Sequence, residues 1–274
     1  MNQYWKYEIL NVSEEQSAVL IAALTDMGLE GFEEVTDQLI AFGKVSEINH
    51  AAVEEMLNDR GIPFVRSVIA EQNWNALWES NFDPVEVDQF VHIRADFHEA
   101  KKGFDYEILI TPKMSFGTGH HATTYSMMKK MKGIDFAGKT VCDYGTGTGV
   151  LAILAEKLGA VSILAIDNDN WSIENSIENI QRNNCKAVSI QKAETIVTDK
   201  LFDIVLANIN RNILLDNMQA IANAAKPNAD ILLSGFYEED IPALAEAAAK
   251  YGMLVTDDII RNKWVCLHLK KQTA

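Results

Sequence analysis

The residues best suited to chemistry are Asp143-Tyr-Gly145-Thr-Gly147-Thr-Gly149, placed where a buried apolar run turns into a helix. Glycines at such a turn let the backbone approach a nucleotide-like ligand closely, and the helix that follows presents free N–H groups to polar ligand atoms. The spacing is G-x-G-x-G; a dinucleotide fingerprint would need its third glycine at position 150, which is Val150. Asp167 ends the next apolar run, about twenty residues on, where a carboxylate can accept both hydroxyls of a ribose. The third group is Asn208 in Leu206-Ala-Asn-Ile-Asn210, at the carboxyl end of the fourth strand of this region, where open α/β sheets put their ligands. Each has a plainer reading: a tight turn, a helix N-cap, and an amide that satisfies strand-end backbone. For Asp167 the plainer reading is the weaker one, because Asp169 and Asn170 are better placed to cap.

With Asp143 two residues before the first glycine, the loop resembles the first motif of the class I methyltransferases. Methyl transfer to nitrogen is an in-line displacement that needs positioning and a neutral amine more than a strong base. A side-chain oxygen on Asn208 can accept from the amine's hydrogens and aim its lone pair. The resemblance narrows with ILITPKMSFGTGHHATTYSMM, followed by DYGTGTG, AIDND and ANINRNIL, which looks like the bacterial ribosomal protein L-eleven methyltransferase (PrmA) family. Phe116-Gly-Thr-Gly-His-His-Ala-Thr-Thr124 is the most diagnostic part, since the family carries F-G-T-G-x-H-x-T-T just upstream of its glycine loop. The similarity runs from the tryptophans near residue 74 to the final strand.

The resemblance implies S-adenosylmethionine as cofactor. Its contacts would be Thr124, Gly145, Asp167 and Asn208, with Asp143 and Gly147 from the glycine loop, while Phe116, Gly117, Thr118 and Gly119 wrap the methionine end. It further implies methylation of lysine side chains, with the α-amine as a further acceptor, on a basic large-subunit ribosomal protein. Asn208 is the expected catalytic residue, in a pocket polar but uncharged at its reacting end. Two stretches depart from the family: INRNIL where it often has ILAGPL, and TPKMSFGTG where D-P-G-x-A-F-G-T-G is common. They bear on substrate presentation more than on the cofactor. His120 and His121 invite a metal reading, but adjacent histidines point apart and no acidic or cysteine cluster accompanies them, so loop-stabilising hydrogen bonds are expected and no metal.

The elements that must position these groups follow from periodicity. From Val91 onward strands alternate with helices, the mark of a mostly parallel, doubly wound α/β sheet covered on both faces. TVCDYG, VSILAID, FDIVLANI and ADILLSGF read as buried strands, with a helix before ADILLSGF stopped near Pro227. The helix NWSIENSIENIQRNN places Ile173, Ile177 and Ile180 on one stripe. Two closing strands, MLVTDDII and WVCLHL, require one antiparallel member, giving a seven-stranded methyltransferase sheet over residues 91–274.

Residues 1–73 read as βαββαβ, the ferredoxin-like split pattern of a small α+β domain, expected to recognise the substrate. There Ser13 and Gln16 form a capping box, Leu20, Leu24 and Met27 repeat at helical spacing, and Asp37 marks a turn between two strands. Residues 74–90 read as a linker whose Trp74 and Trp78 pack on one helix face.

Composition restricts the partners. The formal charge of −15 and pI near 4.8 set up a field that repels phosphate backbones, and lysines and arginines are scattered or paired with no basic patch, so direct nucleic-acid binding is not expected. A basic protein partner suits this surface. Cys142, Cys185 and Cys266 are too few and too far apart for a zinc site, and their odd number speaks for a reducing compartment. The N-terminus lacks the pattern of a secretory signal and no apolar run reaches a membrane span, so a cytoplasmic protein is expected. The alternatives are a class I methyltransferase acting on a small molecule or RNA, and a non-catalytic module that keeps the cofactor fold.

Overall fold

The computed structural model describes residues 3–12, 14–29, 31–35, 38–70, 83–111 and 121–273. The chain divides into two compact units, Met1–Asn81 and Phe82–Ala274. In the first, β1 (Gln3–Leu10), α1 (Glu14–Asp26), β2 (Gly31–Val35), β3 (Gln38–Lys44), α2 (His50–Asp59) and β4 (Phe64–Ala70) follow one another. Their strands pair antiparallel in the order β2-β3-β1-β4. The alternation read in the sequence sets which face is buried: Tyr7 and Ile9 of β1 and Leu39 and Ala41 of β3 meet Leu24 of α1 and Leu57 of α2 in one core. Ser13 and Asp37 lie outside the described residues; the cap observed is that of α2, where the Asn49 side chain accepts from Ala52 N–H.

The second unit runs β5 (Val85–Val87), β6 (Val91–Arg94), β7 (Tyr106–Leu109), α3 (Ala122–Met131), β8 (Thr140–Tyr144), α4 (Val150–Lys157), β9 (Ser162–Asp167), α5 (Asn170–Arg182), β10 (Val188–Lys192) and β11 (Phe202–Asn208). It continues with α6 (Arg211–Asp216), α7 (Met218–Ala224), β12 (Ala225–Tyr237), a 3-10 turn (Glu238–Asp240), α8 (Ile241–Ala249), β13 (Met253–Arg261) and β14 (Trp264–Lys271). Seven strands form one sheet in the order β10-β9-β8-β11-β12-β14-β13. The first five are parallel, and β14 is antiparallel to both neighbours. Winding starts in the middle at β8, proceeds outward to β10, then returns to β11 on the other side. The helices after β8 and β11 therefore leave in opposite directions, and a crevice opens between the carboxyl ends of these two strands. Both strands are buried along nearly their whole length, as a sheet covered on two faces requires.

Several local expectations change. The segment between β11 and β12 is two short helices, and β12 already begins at Ala225, so Pro227 lies inside a strand. It sits where the β11 pairing skips from Phe202–Ala225 to Ile204–Asp230, an irregularity at which a residue without N–H is tolerated. Helix α5 does not bury an isoleucine stripe: Ile180 is buried, but Ile177 is 42% exposed, and the inward face carries Ser172, Asn175, Ser176 and Asn179. A further three-stranded sheet, β5-β6-β7, occupies part of the expected linker, because β5 falls between residues 83 and 90. Trp74 and Trp78 lie outside the described residues. At the far end of the large sheet β13 is an edge strand, exposed at most positions and bulged between Val255 and Asp257.

Candidate functional site

The glycine loop joins β8 to α4, and Gly145, Gly147 and Gly149 all have positive φ. At Gly145 the need for glycine is also steric, since a Cβ there would stand 2.0 Å from Cγ2 of Ile209. The N–H groups of Gly145 and Thr146 both donate to the Ile166 carbonyl, at 2.8 and 2.9 Å, which ties the loop to β9. Gly147 N–H donates to Asp167 Oδ2 at 2.9 Å, and Asp169 N–H to Asp167 Oδ1 at 3.1 Å. Helix α5 is capped separately, by Asp169 accepting from Ser172 N–H at 2.8 Å, so Asp167 is not needed as a cap.

Asp143, expected among the cofactor contacts, is fully buried and forms no part of the cleft wall described below. Its Oδ2 accepts from the Thr146 hydroxyl at 2.7 Å, so it braces the loop. Burial, with Asp167's negative charge as a further contribution, pushes its carboxyl up to about 7 against the lowering effect of Thr146. The unfolded chain ionises this group at lower pH than the folded one. Stability linked to it is therefore full below about pH 4 and falls as pH rises toward 7. Asp143→Asn keeps an oxygen for Thr146 and removes the ionisation. Its denaturant midpoint should rise relative to the native protein between pH 5 and pH 8 (roughly, by linkage); parallel curves would refute the raised value.

A cleft of about 680 Å³ lies over these strand ends, within the range that small-molecule cofactors occupy. Its wall includes Gly145, Gly147, Asp167, Asn208 and Thr124 from the expected set. Phe116 to Gly119 fall outside the described residues. Asn208 ends β11 and donates through Nδ2 to the Oγ1 of buried Thr124 at 3.3 Å, which orients the amide. Asp167 and Asn208 sit on strands separated by β8, hence about 10 Å apart across the sheet.

Of the other wall residues, Trp264 and Gly235 were not singled out in the sequence, whereas His121 makes the stabilising hydrogen bonds expected of it. Trp264 opens β14; its ring meets His121 edge-on at 4.5 Å and Tyr237 at 4.1 Å. His121 caps α3 by accepting from Thr123 N–H at 3.3 Å, and its basicity is lowered by burial. Gly235 has φ +101, and a Cβ there would stand 2.1 Å from the Ile209 carbonyl oxygen. Ile209 is thus wedged between Gly145, just past the end of β8, and Gly235 of β12. An isolated glycine inside the apolar run ILLSGF was the available clue to this close approach. The variant segment after Asn208 has its own anchors: Asn210 accepts from Ile213 N–H at 3.1 Å, capping α6, and Arg211 Nε lies 2.8 Å from Asp240. The wall is not free of charge, since it includes Glu194 and Asp216 besides Asp167.

Residues 11–272 match the family model described as Ribosomal protein L11 methyltransferase (PrmA). The chain belongs to this family. A family member named ribosomal protein L11 methyltransferase from Porphyromonas gingivalis is 39% identical over 257 residues, covering 91% of this chain and 89% of that one. One of the same name from Chlorobaculum tepidum is 38% identical over 258 residues, covering 89% of each. A solved ribosomal protein L11 methylase from Lactobacillus delbrueckii subsp. bulgaricus aligns at TM-score 0.64 and 27% identity, over 70% of this chain and all of that one. The family is one of methyltransferases whose methyl donor is S-adenosylmethionine. The residues present fit that donor: side-chain-free backbone at Gly145 and Gly147, and a strand-end carboxylate at the cleft wall.

Proposed function

We propose that this chain transfers methyl groups from S-adenosylmethionine to amine nitrogens of ribosomal protein L11, chiefly lysine side chains, with the α-amine as a further acceptor. The observation that carries this reading is the Asn208 amide, held by Thr124 at the strand end in a cleft wall that also includes Ile209 and Trp264. When bound, the donor supplies an electrophilic methyl on a sulfonium. Asp167 accepts from the ribose hydroxyls. Because Nδ2 of Asn208 is turned toward Thr124, its Oδ1 is the atom left to accept from the amine's hydrogens. A lysine is mostly protonated at neutral pH, its reference pKa being ~10.4, so it must be desolvated to react. Ile209, Ile213 and Trp264 give the aliphatic stem an apolar wall, while exposed Asp216 draws in the ammonium, which gives its proton to solvent water before the neutral amine attacks the methyl group.

The strongly negative chain favours a basic protein over RNA as acceptor. We assign docking of that protein to the first unit, because every cofactor-facing residue named above belongs to the second. Among the described residues no helix is long and apolar enough to cross a membrane, in keeping with action in the cytoplasm. The test is an assay with labelled S-adenosylmethionine and, in parallel, purified ribosomal protein L11 and ribosomal RNA. Label should enter the protein and be lost when its amines are blocked beforehand; label in RNA alone would overturn the proposal.

Asn208→Ala separates orientation from binding. A contact realised mainly near the transition state should lower kcat by about 10- to 100-fold while shifting cofactor affinity by less than about threefold. Equal losses in both would make Asn208 a cofactor ligand only.

A further inference from the structure

Helix α5 buries asparagines where amphipathic helices bury apolar side chains. Asn175, Asn179 and Asn183 recur at every fourth position, and the first two are wholly buried. Four residues of helix rise about 6.0 Å, and two residues of strand rise about 6.6 Å, so amides at i and i+4 can meet alternate residues of a neighbouring strand. They do. The Asn183 amide brackets Leu109, accepting from its N–H at 3.0 Å and donating to its carbonyl at 2.6 Å. One turn earlier, Asn179 Oδ1 accepts from Thr111 N–H at 2.7 Å.

The two asparagines differ in what else they hold. Asn179 Nδ2 donates to the carbonyl of Thr148, inside the glycine loop, at 2.8 Å. Asn183 Nδ2 instead returns to Asn179 O, within its own helix, at 2.8 Å. Beside the Thr148 contact Ser176 packs closely against Gly149, whose added Cβ would meet the serine Cβ at 3.2 Å. Since Gly147 N–H is already bonded to Asp167, the loop is gripped on successive residues from β9 and from α5.

We propose that Asn179 is a positioning residue for S-adenosylmethionine binding: its buried amide fixes the glycine loop through Thr148 O and joins it to the segment that follows β7 through Thr111 N–H. Without the amide, the Thr148 carbonyl loses its buried donor and the loop relaxes away from the shape that receives the donor. The role concerns the donor's loop and is independent of which amine accepts the methyl.

The experiment compares Asn179→Ala with Asn183→Ala in the full-length chain, measuring S-adenosylmethionine and S-adenosylhomocysteine affinity by calorimetry and ligand-free Tm. Both variants should lose thermal stability. Asn179→Ala should weaken both ligands by about tenfold or more, the scale of one buried hydrogen bond, with kcat at saturating donor within about twofold. Asn183→Ala should stay within about twofold of native affinity. Native affinity in Asn179→Ala, or equal losses in both variants, would reduce Asn179 to a structural brace.

If alanine at 179 prevents folding, Asn179→Asp carries the same test. Its ionised carboxyl keeps an acceptor for Thr111 N–H but presents an oxygen to the Thr148 carbonyl; once protonated, it donates to that carbonyl as the amide does. Affinity relative to the native protein at the same pH, which absorbs the titration of Asp143, should be weak at pH 8 and recover at pH 5.5 (roughly the carboxyl range for a buried group). A ratio that does not change with pH would overturn the assignment.

Discussion

Asp167→Ala should abolish measurable S-adenosylmethionine binding while leaving the fold intact. The carboxylate has two tasks: it accepts from Gly147 N–H and Asp169 N–H, and it faces the cleft where a ribose would present its hydroxyls. Losing a pair of charge-assisted hydrogen bonds costs ~2 to 4 kcal/mol, or roughly 30- to 1,000-fold in affinity. Loosening of the glycine loop adds to this. Stability should change little, because Asp169 caps α5 without help and the β8 and β9 core is apolar. Calorimetry gives the answer directly, and native affinity in the variant would remove Asp167 from the site.

Among the described glycines, Gly235→Ala should be the most damaging alanine substitution. A Cβ at this position would lie 2.1 Å from the oxygen and 2.6 Å from the carbonyl carbon of Ile209, and φ is +101. Backbone cannot swing aside as a side chain can, so the ends of β11 and β12 must separate, and Asn208 moves with them. We expect destabilisation of about 3 kcal/mol or more, with activity lost to match. Gly145→Ala is the instructive contrast, because its clash is with Cγ2 of the Ile209 side chain. Trimming that side chain with Ile209→Ala should relieve the steric part of Gly145→Ala and do nothing for Gly235→Ala. Denaturant midpoints of the single and double variants test both statements; a Gly235→Ala protein as stable as the native one would refute the wedge.

Much of this was legible from local pattern. Alternation in β3 and continuous apolar runs in β8 and β11 are consequences of burial on one face or two, so the sequence carries them openly. Asp167 and Asn208 could be singled out because each ends such a run. The inward face of α5 was misread for a physical reason: apolar periodicity locates a core-facing stripe only when the neighbour is apolar, and here the neighbours are backbone groups of β7 and the glycine loop that need amides. Strands of three or four residues, such as β5 and β6, are too short to show a period. Trp264 meets His121 through a contact between distant parts of the chain, which no window of neighbouring residues can reveal. That Asp143 is buried and bonded to Thr146 does not show in the sequence, because a carboxylate before a glycine turn reads the same whether it faces ligand or core.

The edge strand β13 bears on how the protein behaves at high concentration. The outer edge of this nine-residue strand, with Leu254, Val255 and Ile260 exposed, would be a template for another chain to add a strand and propagate. Two devices interrupt that template near its middle: the bulge between Val255 and Asp257 breaks the register a partner would need, and Asp258, beside an Asp257 already paired with Lys130, sets a like charge against its counterpart in any edge-to-edge pairing of two copies. The bulge and Asp258 thus work at this edge against pairing with a second copy, without any shortening of the strand that supports Trp264.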